Sequence, residues 1–287
     1  MRTRIAKPLL FASPALLLYL IFWVIPIFMS LFMSFYQTTG FGANWTFKGL
    51  DNYRHILTDN TFYISLVNNL KWMGLSILFP TIIGLCFALM LNSRIKLQTM
   101  FRGIFYYPCV LSMVSVGLIW SWIFHPSGIF VDFQKAIGIT KPLVMMAGID
   151  TALYGVFIAG AWASIGTGVV LFLAGLQTIP SEIHEMAMVE GANFFQKFWY
   201  ITLPLLRQTF IIVITLALIN SVRVFDIVMA TTRGGPGTGT YMLGIYMYIN
   251  AFKSMYFGLG SAVSWLMVIL VAIPVIPYIW VMQSSDT

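Results

Sequence analysis

The sequence predicts an all-α polytopic membrane protein with six transmembrane helices. Three observations carry that prediction. Of its 287 residues, 59% are hydrophobic and only 9% are charged, whereas soluble domains carry about 25% charged residues. The apolar residues fall into six runs, the last five each close to the ~20 residues a bilayer requires and the first longer. The basic residues stand at the ends of those runs rather than in a cluster. The formal net charge of +7 therefore reads as a topology signal and not as a nucleic-acid surface.

The first run, about 9–35, follows Arg2, Arg4 and Lys7. It is too long for a signal-peptide core of roughly 7–15 residues and no small-residue cleavage pattern follows it, so it reads as an uncleaved first span. Residues 37–67 are polar and contain Gly40, Gly42, Gly49 and Asp51-Asn52-Tyr53; they read as a loop with short amphipathic pieces near the membrane surface. The remaining spans are expected at about 70–91, 103–124, 152–176, 209–230 and 259–282. Pro80, Pro108 and Pro274 fall within or at the edges of spans, where neighbouring helices or water satisfy the freed backbone groups. No stretch is left to build a separate soluble domain, so residues 1–287 read as a single transmembrane domain.

Lys and Arg set the orientation. With the N-terminus inside, the cytoplasmic side receives Arg2, Arg4, Lys7, Arg94, Lys96, Arg102, Lys197 and Arg207, and the outer side Lys48, Arg54, Lys135, Lys141, Arg233 and Lys253. The inner residues hug the helix ends more closely, as the positive-inside rule expects. Both chain ends and the segment 180–207 are then cytoplasmic. Lys71 and Arg223 lie within spans. Cys86 and Cys109 both fall in apolar runs and read as small buried residues rather than a disulfide or metal framework.

Segment 180–207 is the polar exception between two long apolar runs. Pro180 and Ser181 offer a stop and an N-cap, and Glu182 and Glu185 put negative charge in the first turn. Ile183, Met186, Ala187 and Val189 form an apolar stripe at helical spacing. Gly191 ends this helix. A second short helix is expected near Asn193, carrying Phe194, Phe195, Phe198 and Trp199, before Thr202-Leu203-Pro204 turns the chain into the next span. The bland reading is an interfacial loop; the sharper one is a compact docking knob.

Catalytic chemistry has little support. His184-Glu185 begins like a zinc-protease helix, but the second His falls on Met188. Gly234-Gly235-Pro236-Gly237 lacks the Lys and Ser/Thr of a phosphate loop. No metal set and no nucleophile with a base is evident.

The hairpin also carries a resemblance. Glu185-Met186-Ala187, then Gly191, then Ile201-Thr202-Leu203-Pro204 resembles the EAA loop of binding-protein-dependent ABC importer permeases. Gly49-Leu50-Asp51-Asn52-Tyr53, Asn68-Asn69, Phe101-Arg102, Tyr107-Pro108, Leu176-Gln177, Ile179-Pro180, Phe225-Asp226 and Thr232-Arg233-Gly234-Gly235-Pro236 extend the likeness to the first permease subunit of the carbohydrate-uptake branch, the maltose- and glycerol-phosphate type. Met186 stands where the motif has its central alanine, and Glu190 where Asp is commoner. The resemblance implies a type I importer permease fold in a bacterial cytoplasmic (inner) membrane. Its implied partners are a second permease subunit, two cytoplasmic ATPase subunits holding ATP and Mg, an extracytoplasmic solute-binding protein and a carbohydrate, with no cofactor on this chain. Glu185 would contact the ATPase, with Glu190 beside it, Ala187 would be close-packed and Gly191 the hinge.

For the pathway, Asn220, Arg223 and Asp226 of the fifth span fall within a stripe of about 120° at helical spacing, so they can share one face. Arg223 and Asp226 can pair there. A structural pair and a substrate-lining face both remain open, since a charge at mid-membrane avoids lipid. The family places substrate contacts on this helix, which implicates Asn220 and Ser221. In the fourth span, Trp162 offers a sugar-stacking ring or plain packing, and Ser164 a hydroxyl. The rival function is a self-sufficient secondary transporter or channel built on Arg223 and Asp226.

Overall fold

Long apolar runs become helices because a chain in hydrocarbon must satisfy its backbone N–H and C=O groups internally. The structure, a computed structural model, describes residues 2–38, 45–93 and 98–284. Gly40 and Gly42 of the polar loop, and Arg94 and Lys96 of the basic set, lie outside the described residues.

In chain order, α1 (Arg2–Tyr19) and α2 (Ile25–Met33) are joined through a π-helical turn at Leu20–Val24. The two-residue strands β1 (Tyr36–Gln37) and β2 (Thr46–Phe47) pair antiparallel, Tyr36 opposite Phe47. Then come α3 (Asp51–Thr58), α4 (Asn60–Asn92), α5 (Gln98–Val110), α6 (Met113–Ile123), α7 (Ile129–Ala136) and α8 (Ile149–Gln177). The polar hairpin holds α9 (Ser181–Val189), α10 (Phe194–Lys197) and α11 (Leu203–Leu205). Last are α12 (Arg207–Val222), α13 (Asp226–Thr231), α14 (Leu243–Tyr248) and α15 (Phe257–Ser284).

Among the described residues, four helical runs are long and apolar enough to cross a membrane: Phe11–Met33, Asn60–Asn92, Ile149–Gln177 and Phe257–Val281. Two more runs are bent pairs, α5 with α6 at 99° and Phe194–Leu205 with α12 at 67°, giving six when each pair counts as one. The third expected span is thus two helices. Ser112 is extended (φ −64, ψ 144) and its Oγ accepts from the Ser115 N–H at 3.1 Å, so it N-caps α6 instead of continuing α5. The fifth expected run also breaks. Its helix stops at Val222, and Phe225 (φ −141, ψ −57) leads into α13. The second span starts at Asn60 rather than near 70, because Asp59 Oδ1 accepts from the Thr61 N–H at 2.8 Å and caps α4 early.

The chain forms two compact units. One joins Met1–Phe62 with Tyr246–Ile269. Within it, Asn52 Nδ2 donates to the carbonyls of Ser34 (2.8 Å) and Tyr36 (3.0 Å), and Tyr53 donates to Ser34 Oγ at 2.8 Å, tying α3 to the end of α2. Tyr246 donates to Asp59 Oδ2 at 2.6 Å. The Asp59 carboxyl lies below the usual carboxylate range. Burial pushes it up, but hydrogen bonds from Tyr246 and Thr61 and the nearby His55 outweigh that.

The other unit joins Tyr63–Ile245 with Leu270–Thr287. Its core is Leu85, Ala88 and Leu91 of α4 with Phe172, Leu173 and Leu176 of α8, closed by Leu206 and Val213. Phe172 meets Phe210 edge-on at 4.8 Å. Gly84 and Gly168 let α4 and α8 approach backbone to backbone; a Cβ on Gly84 would lie 3.2 Å from the Gly168 backbone. Cys86 is exposed and Cys109 half-buried, against the expectation of two buried thiols. In a chain whose outer face is itself apolar, hydropathy does not separate inside from outside.

Candidate functional site

The hairpin is built by two local devices. At the end of α9, the Ala192 N–H donates to the Ala187 carbonyl at 2.9 Å and the Gly191 N–H to Met188 at 3.1 Å, with Gly191 at φ +77. That is a Schellman motif, which only a residue at ease in the left-handed region completes without strain. Directly after it, Asn193 and Gln196 form a capping box: Asn193 Oδ1 accepts from the Gln196 N–H at 2.9 Å and Gln196 Oε1 from the Asn193 N–H at 2.8 Å. The second helix therefore starts where the sequence placed it. The start of the first is different. Ser181 is already helical, and Pro180 occupies the cap position with no side-chain bond.

On this hairpin Ala187 is buried at 9% exposure, while Glu185, Glu190 and Gly191 are exposed. Phe194, Phe195, Trp199 and Tyr200 are also exposed. Glu190, Gly191, Gln196 and Tyr200 border a shallow recess of about 320 Å³.

A second concavity, of about 410 Å³, lies among the long helices of the same unit. Both broken runs line it: Cys109 and Met113 stand at the bend between α5 and α6, and Asn220, Ser221, Arg223 and Asp226 at the break after α12. The remaining wall comes from Ser164 and Thr167 of α8 and from Trp72, Ser76, Pro80 and Thr81 of α4.

Five of the six pathway residues expected from sequence thus share one cavity. Their relations differ from the expectation. Arg223 and Asp226 form no helical pair, because three residues of non-helical chain upset the register that would bring them together; no ion pair joins them. Ser221 is 1% exposed and its Oγ donates to the Leu218 carbonyl at 2.7 Å. Ser164 Oγ donates likewise to the Gly160 carbonyl at 2.8 Å. Both hydroxyl protons are committed to their own helices. Trp162 stands outside the lining and packs edge-on against Trp120, with ring centroids 6.0 Å apart. The tryptophan that does line the cavity is Trp72. Its ring sits over Gly160, where a Cβ would come within 3.0 Å of it. No motif marks Trp72, Ser76, Thr81 or Thr167; the sign is their spacing on two apolar helices that face each other.

The break after α12 is held from α4. Asn69 Nδ2 donates to the Ser221 carbonyl at 3.0 Å, and Asn69 Oδ1 accepts from the Leu243 N–H at 2.7 Å. Its neighbour Asn68 donates to the carbonyls of Thr238 (3.2 Å) and Tyr241 (3.0 Å) in the glycine-rich loop. Within that loop, Thr232 and Thr240 bond hydroxyl to hydroxyl at 2.6 Å, and the Thr240 hydroxyl donates to the Gly235 carbonyl at 2.8 Å. Among the described residues, no three His, Cys, Asp or Glu side chains converge as a metal site would require.

The family model described as "Binding-protein-dependent transport system inner membrane component" matches residues 80–286. A probable ABC transporter permease protein of Pyrococcus horikoshii is 31% identical over 281 residues, covering 95% of this chain and 94% of that one. The trehalose/maltose transport system permease protein of Thermococcus litoralis is 32% identical over 259 residues, covering 90% and 87%. Among solved structures, a chain of a bacterial alginate ABC transporter, in complex with an alginate pentasaccharide-bound periplasmic protein, superposes with a TM-score of 0.82 at 22% identity, over 96% of this chain and 93% of that one.

Proposed function

Because this chain belongs to the family of binding-protein-dependent transport system inner membrane components, we propose that it carries a carbohydrate across the cytoplasmic membrane by alternating access. It is the permease subunit of an ABC importer with the type I permease fold. In this reading a second permease chain completes the pathway and an extracytoplasmic binding protein delivers the solute. Two cytoplasmic ATPase subunits, holding ATP and Mg, supply the energy. Both ends of this chain lie in the cytoplasm.

The observation that supports this most directly is connectivity. The hairpin is joined at one end to α8 and at the other, through α11, to α12, and both helices line the 410 Å³ cavity. The hairpin runs across the 67° bend at Leu206 directly into α12, whose last turn carries Asn220 with Arg223 just beyond it, so a movement of the hairpin has a short helical path to the cavity. In the proposed cycle Glu185 makes the charged contact with the ATPase, with Glu190 at the recess beside it. Ala187 keeps α9 close-packed, and Gly191 fixes the angle between the two short helices. Coupling requires that the ATPase bind the two permease conformations with different free energies. The cavity offers hydroxyl, amide and charged groups with the aromatic rings of Trp72 and Phe225, the lining expected for a polyhydroxylated solute.

Reconstitution tests the reading. The complete transporter in proteoliposomes is expected to accumulate radiolabelled trehalose or maltose only when ATP and the binding protein are both present. Accumulation by this chain alone under an ion gradient would overturn it in favour of a self-sufficient transporter.

A further inference from the structure

Thr81 carries a buried hydroxyl that no described residue satisfies. It is 5% exposed, its Oγ1 has no hydrogen-bond partner among the described residues, and it lines the cavity. Ser164 and Ser221, in the same wall, spend their protons on carbonyls one turn back. Thr81 does not. A buried hydroxyl without a partner costs about 1–3 kcal/mol; a solute hydroxyl that reaches Oγ1, which is shut off from solvent in this conformation, recovers that cost.

The residue before it adds to this. Pro80 has no N–H, so the Ser76 carbonyl, four residues back, loses its usual helical donor. Ser76 lines the same cavity. Ser76 and Thr81 thus both border the cavity, beside a backbone carbonyl that lacks its helical donor. Thr167, opposite on α8, places a further hydroxyl in the wall. The close approach of α4 to α8 at Gly84 and Gly168 holds this turn in place, since a Cβ on Gly168 would meet the Pro80 carbonyl at 3.4 Å.

We propose that Thr81 is a specificity-determining contact, its Oγ1 exchanging a hydrogen bond with a hydroxyl of the transported solute. The inference rests on the carbohydrate-importer reading given above and adds a residue on α4 to the pathway set. A site built to bond a solute hydroxyl rejects analogues lacking it, because its own polar group is then left unpaired.

The test uses the complete transporter in proteoliposomes with radiolabelled trehalose, maltose and an alginate oligosaccharide as probes. Thr81→Val keeps the shape and removes the hydroxyl; Thr81→Ser keeps the hydroxyl. Thr81→Val is expected to raise KM for the transported probe about tenfold, while Thr81→Ser stays within about twofold. An unchanged KM in Thr81→Val overturns the contact. So does an equal fall in both variants together with lost ATPase activity, which would mark Thr81 as packing. Wild-type vesicles that carry none of the probes would overturn the carbohydrate reading and the Thr81 contact with it, whereas wild-type transport with an unaffected Thr81→Val variant overturns the contact alone.

Discussion

Asn69 donates to the Ser221 carbonyl at 3.0 Å while accepting the Leu243 N–H at 2.7 Å. One side chain therefore satisfies an orphan carbonyl at the C-terminal end of α12 and an orphan donor at the start of α14. Both are groups that a helix end leaves unpaired. Asn69 itself is fully buried. Replacing it with Ala leaves a buried N–H and a buried C=O without partners, and each such group costs about 1–3 kcal/mol. The expected result is a clear loss of thermal stability in detergent together with reduced uptake, since the break that carries Asn220 and Arg223 loses its tether. An Asn69→Ala protein with the wild-type melting temperature would mean that water replaces the clamp.

Gly166 sets how close α5 lies to α8. A Cβ there would approach the Phe105 carbonyl oxygen to 2.6 Å and the Tyr106 Cα to 3.3 Å, both backbone atoms that cannot swing away. Gly166→Ala is expected to destabilise the fold by about 1–3 kcal/mol, as overpacking does. Gly103, also on α5, has nothing within 4 Å of its would-be Cβ. Gly103→Ala should be neutral or gain up to about 1 kcal/mol from helix propensity. Melting temperatures of the two variants, measured side by side, check the contrast.

The sequence shows where the apolar runs lie, but it does not show where they break. Hydropathy responds to composition, and the α5–α6 pair passes as one apolar run; the interruption depends on Ser112 capping α6 against Ser115. The same blindness hid the stop after Val222, so a face computed for one continuous helix misjudged how Arg223 and Asp226 relate. The hairpin was far more legible. Its helix stop, its glycine and its capping Asn193 are local signals that need no tertiary information. Trp72 and Thr81 had no such signal, because their importance comes from what faces them across the cavity.

Gly191 and Glu185 separate geometry from contact in the hairpin. Gly191 lies at φ +77 with nothing within 4 Å of a would-be Cβ, so a substitution there is penalised by backbone strain and not by a clash. That strain is about 1–2 kcal/mol for an ordinary L-residue and smaller for Asn. ATP-driven uptake is accordingly expected to fall in the order wild type, Gly191→Asn, Gly191→Ala, Gly191→Val. Glu185→Gln leaves the backbone untouched and removes only the charge. It should cut uptake about tenfold, the scale of one lost charged hydrogen bond, without lowering the amount of chain in the membrane. Wild-type uptake by Glu185→Gln would remove this carboxylate from the coupling contact.

Asp59 gives the first unit an acid-sensitive joint. Burial alone would raise its carboxyl, but the Tyr246 hydroxyl at 2.6 Å, the Thr61 contacts and His55 hold it below its ordinary value. A carboxylate whose folded-state pKa is depressed binds protons more readily when unfolded. Its contribution to stability is therefore complete above the unfolded value of about 3.9. It is lost as pH falls through the lower folded value. Tyr246→Phe removes the hydroxyl that lowers it and brings the folded pKa back toward the unfolded one. The melting-temperature difference between wild type and Tyr246→Phe should hold constant above about pH 5 and narrow as pH falls below about 4. Other carboxylates titrate in the same window, so the difference between the two proteins is the quantity to follow. A difference that stays flat down to about pH 3 would show that Tyr246 holds Asp59 no more strongly in its charged form than in its neutral one.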